Sequence, residues 1–157
     1  MKLIKTLLIL SFSSIIFLTM ACEDNNTEDP APESATISGT MTFVGDWPVD
    51  GTIGISLSSN WPPQGAPAAS LVLDASSDNT YTFENVAFGT YAAIAVSWLD
   101  PNDTNSATNQ STLGAYGGEF PFFTAYGGTD PIAVTVSEME YELTGLDFDV
   151  DLVLAQP

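Results

Sequence analysis

From Cys22 to Pro157 the chain contains no lysine, no arginine and no histidine. The two basic residues, Lys2 and Lys5, sit at the N-terminus, and all 20 acidic residues follow Cys22, so this long stretch carries a formal charge of −20. The absence of cations removes nucleic acid as a partner, because binding it requires positive groups that replace the counterions on phosphate. It also removes a phosphate cradle, which needs a Lys or Arg beside its glycine loop. Serine and cysteine nucleophiles lack a histidine base. Zinc sites of the usual kind lack their nitrogen and sulfur ligands, and attraction of a basic surface to anionic lipid is absent too. There is a single cysteine, Cys22, so no disulfide framework exists. Two chemistries survive: a carboxylate pair acting on a glycosidic bond, and oxygen ligands around Ca²⁺. A small domain offers little cleft for the first, so the chain reads as a non-enzyme.

Long apolar runs are equally scarce, and the one present is at the start. Behind Lys2 and Lys5, Thr6 to Leu18 forms 13 residues without a charge. That is long enough for the core of an export signal and short for a bilayer span. The segment ends Leu18-Thr19-Met20-Ala21-Cys22, which resembles the lipobox of bacterial lipoproteins, with Thr19 where the family usually has leucine. The resemblance implies cleavage before Cys22, acylation of its thiol, and export to a bacterial membrane, the outer membrane in first place, facing the periplasm or the cell surface. Two or three acyl chains, at about 0.8 kcal/mol per buried CH₂, anchor stably where one does not. Residues 1–21 are thus expected to be a signal peptide. Residues 22–34, polar, acidic and proline-containing, are expected to be a disordered tether. The acidic run after the cysteine resembles the surface-export signal of Bacteroidota lipoproteins. Residues 35–157 are expected to be one domain.

Within that domain apolar residues alternate with period two, and helical periodicity is not evident. Seven runs stand out: Ile37 to Phe43, Ile53 to Leu57, Leu71 to Leu73, Tyr81 to Phe83, Thr90 to Leu99, Ile132 to Val136 and Leu146 to Leu152. The fifth is apolar on both faces, as a covered central strand would be. In the seventh, Asp147, Asp149 and Asp151 alternate with Leu146, Phe148, Val150 and Leu152, which reads as a solvated outer face. Seven short strands with turn residues between most of them predict an all-β, seven-stranded antiparallel β-sandwich. A closed barrel is the alternative.

Tyr81-x-Phe83-x-x-Val86-x-x-Gly89-Thr90-Tyr91 resembles the corner of carboxypeptidase regulatory-like and transthyretin-like (prealbumin-like) domains, and Ile37-Ser38-Gly39-Thr40-Met41 resembles their first strand. The resemblance implies an Ig-like sandwich, a tyrosine ring packed back onto it, and a non-catalytic role. Relatives often carry a Gly-closed Asp/Asn loop after the fifth strand; here Ser106 stands where that Gly would be.

If all seven strands alternate in direction, the loops holding Asp46, Trp47 and Asp50, then Asp74 and Asp78, and then Asp100 to Asp130, lie at one end, and Trp61 lies at the other. The stretch from Asp100 to Asp130 is longer than structureless loops usually are, and such loops are often functional. It holds two Ala-Tyr-Gly-Gly copies around Phe120-Pro121-Phe122-Phe123. Asp100, Asn102, Asp103 and Asn105 offer four oxygen donors for Ca²⁺, short of the six to eight it takes. Trp47, Trp98, Tyr116 and Tyr126 are the aromatic residues suited to stack on a ligand. The partners expected are the membrane through the lipid, and a protein or a glycan at the loops.

Overall fold

The computed structural model describes residues 30–106 and 108–155. Cys22, the export segment and most of the tether lie outside them. The chain divides into two units between Pro30 and Ala31, and the fold below is that of the second.

The unit is mostly β-strand with almost no helix. Among the described residues ten strands appear in chain order: β1 (Ala35–Val44), β2 (Thr52–Ser58), β3 (Ala69–Leu73), β4 (Thr80–Val86), β5 (Gly89–Tyr91), β6 (Ala93–Leu99), β7 (Gln110–Ala115), β8 (Val134–Val136), β9 (Glu142–Leu143) and β10 (Phe148–Asp151). Two single-turn 3-10 helices, Thr124–Tyr126 and Leu152–Leu154, complete it.

The first sheet is organised around β1. β4 runs antiparallel along one side, whereas β9 and β10 pair with β1 in parallel. Between β9 and β10 the ladder is irregular. Leu146 N donates to Ser38 O, and Thr40 N donates to the Oδ1 of Asp147 at 2.7 Å, so a side-chain carboxylate takes the place of a strand carbonyl. A Cβ at Gly39 would collide with the Leu146 carbonyl, and this close approach is why the first strand carries a glycine at an otherwise apolar position.

The second sheet runs β3-β2-β6-β7, antiparallel throughout, and β5 pairs with β8 in a separate two-stranded ribbon. Ile37, Met41, Phe83 and Val150 from the first sheet share one apolar core with Ile55, Leu57, Val96 and Leu113 from the second. β7 approaches β10 so closely that a Cβ at Gly114 would strike the Asp149 carbonyl. Tyr91, the tyrosine of the Gly-Thr-Tyr corner, is buried in the core and its hydroxyl donates to Ala87 O at 2.7 Å.

The expectation of a β-rich, nearly helix-free domain holds. Two of its details change. Pairing is not wholly antiparallel, because β9 and β10 run alongside β1 in its own direction. The strands among the described residues number ten: the run Thr90 to Leu99 breaks at Ala92 into β5 and β6, which belong to different sheets, and β7 lies inside the stretch expected to be a loop.

Candidate functional site

β7 also relocates the aromatic loop. β2 meets β6 with Ser58 opposite Ala93, and β7 meets β6 with Ala115 opposite Ala95. The segments after Ser58 and after Ala115 therefore leave sheet two at the same end. Trp61 and the Phe120–Phe123 segment, expected at opposite ends, are in contact. The Trp61 indole stacks on Phe123 with centroids 5.2 Å apart and 18° between planes, and its Nε1 donates to Phe122 O at 2.9 Å. Asp50, Asp74 and Asp100 do share the other end, as strand parity required: Thr52 and Leu99 are partners, as are Ile53 and Leu73.

The aromatic loop is closed by reciprocal backbone hydrogen bonds between Glu119 and Thr129. The third residue of each Ala-Tyr-Gly-Gly copy, Gly117 and Gly127, is left-handed, with φ of 67° and 89°, a region glycine enters without a steric cost. Phe122 is buried against Ala95 and Ala115, with Trp61 and Leu154 beside them. This cluster lies on the outer face of sheet two and accounts for the apolar residues on both faces of β6.

Among the aromatic residues singled out from sequence, Trp98 is a core residue, 4% exposed, with Nε1 donating to Asp50 O. Trp47 is half-buried, tilted against Phe43, and packed on the core, as is the half-buried Tyr116. Only Tyr126 is open, 78% exposed and edge-on to Phe123. The structure thus does not bring these four together.

The Asp100 to Asn105 segment is an exposed turn whose carboxylates hold its own backbone. Asp100 Oδ1 accepts from Asn102 N, and Asp103 Oδ1 accepts from Asn105 N, both at 2.8 Å. Asp103 Oδ2 accepts from the Thr108 hydroxyl at 2.6 Å, and this bond leads the effects that hold the Asp103 pKa below the ordinary carboxylate value. Among the described residues no group of three or more Asp, Glu, Cys or His side chains is arranged to hold a metal ion.

The hollow places on the surface gather elsewhere. A cleft of about 710 Å³ is bounded by Pro62, Pro63, Gln110, Thr112 and the Phe120–Phe123 segment. A second, of about 370 Å³, lies over the outward residues of β2, β3 and β6, including Ser56, Ser58, Ser70 and Ser97. Pro63 and Gln110 line both, so the two adjoin across the outer face of sheet two and are together called the groove. Sequence reasoning passed over this floor because small hydroxyl residues on alternate strand positions look the same as an ordinary solvated face.

No protein-family model, no curated protein and no solved structure matches this chain. None of the helices among the described residues is long and apolar enough to cross a membrane.

Proposed function

We propose that this protein is a non-catalytic binding module of an exported bacterial lipoprotein, held at the membrane by a lipid on Cys22 and placed at the outer membrane. The domain is read as an Ig-like or transthyretin-like β-sandwich of the carboxypeptidase regulatory-like kind. One observation carries the reading: an uncharged segment behind two lysines ends in Ala21-Cys22, and the chain beyond offers only carboxylates and phenols as ionisable side chains. Such a chain can be anchored and can bind; without histidine, lysine or a second thiol, only a carboxylate pair is left for acid–base or nucleophilic chemistry, and a small domain offers such a pair little cleft.

Two partner classes suit the surface, a protein and a glycan. A structural or adhesive protein contact has the exposed Phe120, Tyr126 and Val153 to use. A glycan has the groove over sheet two.

Cys22→Ser tests the anchor. The wild-type chain is expected to incorporate an alkyne-tagged fatty acid and to sediment with membranes. The serine variant is expected to lose the label and either stay uncleaved or appear in the soluble fraction. If the variant pellets with membranes at the mature mass, the lipoprotein reading is wrong.

A further inference from the structure

In a chain with 20 carboxylates, the groove over sheet two is lined by none of them. The hollows beside Asp74, Asp147 and Asp149 each have a carboxylate in the wall. The uncharged lining of the groove comes with a second feature. Just two polar residues among those described are buried, Ser58 at 6% and Ser97 at 5% exposure. Both line the groove. No hydrogen bond engages either side chain, yet no polar side-chain atom is fully sealed from solvent without a partner. Their hydroxyls therefore open into the groove with their bonding capacity unspent. Water reaches them there, and a ligand that offers hydrogen-bonding groups in the same places can take over those bonds.

We infer that this groove is a binding site for an uncharged glycan, with Ser58, Ser97 and Gln110 as its hydrogen-bonding floor and Phe120, Phe122 and Pro63 as its apolar wall. The inference rests on the binding-module reading above and names its ligand. Hydroxyls and a carboxamide both donate and accept, which matches sugar hydroxyls. Flat aromatic and proline surfaces match the C–H faces of pyranose rings. A cationic partner would find its attraction at the carboxylates outside the groove. An anionic glycan would be repelled by a chain of charge −20 with no cation to receive it. The volumes, about 710 and 370 Å³, fall in the range of small-ligand sites.

The test is affinity electrophoresis of the full chain in detergent through gels containing a neutral glucan, mannan or xyloglucan, with polygalacturonate and a proline-rich peptide as competitors of other chemistry. Retardation by at least one neutral polysaccharide and none by polygalacturonate is expected. Ser58→Ala with Ser97→Ala, and separately Gln110→Ala, should each weaken that binding about tenfold or more. The serine pair should leave the melting temperature unchanged, because neither hydroxyl is sealed from solvent; a purely structural role would lower it. Asp78→Asn, outside the groove, should bind as wild type. Absence of retardation by all the neutral glycans, binding indifferent to the three groove substitutions, or displacement by the proline-rich peptide alone would each overturn the inference. Fatty-acid labelling at Cys22 separates the two claims: if it persists while no glycan binds, the glycan assignment falls and the anchored module stands.

Discussion

At the residue scale, Tyr81 ties the two edges of β1 together. It lies on β4, and its hydroxyl crosses to Leu146 O at 2.7 Å, over the space left by Gly39. Burial raises its pKa well above the ordinary phenol value, and the nearby Asp147 carboxylate adds to the rise. A raised pKa in the folded state means the neutral phenol is favoured by folding. Its stabilising contribution is therefore complete below the unfolded value of about 10 and is lost as pH climbs beyond it. Tyr81→Phe should cost about 1 kcal/mol at neutral pH, since one carbonyl loses its donor. It should also flatten the fall in melting temperature between about pH 10 and 12. Tyr126→Phe, at an exposed ring, should leave that alkaline slope as it is. Equal slopes in wild type and Tyr81→Phe would show that the phenol does not govern it.

At the element scale, the sequence was most legible where side chains fill the core and least where backbone does. The alternation of Leu146, Phe148, Val150 and Leu152 located β10 because Phe148, Val150 and Leu152 are buried. Gln110 to Ala115 gave no such alternation. Leu113 is its one large apolar residue, and a register shift against β6 places Gly114 facing the backbone of Asp149 and Val150. The inward side of β7 is thus filled by Leu113 and otherwise by a neighbouring strand, so period-two alternation had only one large residue to count. The same omission misplaced the aromatic loop, since a missed strand inverts the end at which the next segment emerges. The candidate site was hidden for a related reason: its floor is read off as Ser, Thr and Gly, and only the fold shows that Ser58 and Ser97 are covered. Gly114→Ala tests this account of β7. The added methyl meets backbone, which cannot swing aside, and overpacking of this kind costs about 1–3 kcal/mol. The urea midpoint should fall accordingly with the slope of the transition kept. An unchanged midpoint would mean that β7 and β10 are not held so close in solution.

At the scale of the whole molecule, the governing quantity is twenty carboxylates without one cation from Cys22 onward. Every pairwise charge interaction in the domain is repulsive, and folding brings those charges nearer than the unfolded chain does. Salt shortens the Debye length from about 30 Å at 0.01 M to about 8 Å at 0.15 M, which screens exposed charges across the domain. The melting temperature should therefore climb between these ionic strengths, by about 4 °C for each kcal/mol recovered in a domain of this size. Divalent cations refine the test. Asp100 and Asp103 accept from the backbone of their own turn, so Ca²⁺ at that turn would have to replace or share bonds already made. At matched ionic strength, Ca²⁺ and Mg²⁺ should then raise the melting temperature equally, as diffuse counterions do, and Asp100→Asn with Asp103→Asn should not alter the response to either. An excess for Ca²⁺ that this pair abolishes would instead establish a calcium site in the Asp100 to Asn105 turn, because a site that binds only the folded state stabilises it by about 2.7 kcal/mol at a hundred times Kd. A melting temperature indifferent to monovalent salt would be the more damaging result. It would mean that the carboxylates lie far enough apart to act independently, and the exclusion of charge from the groove would then stand alone as the one way this surface uses its acidity.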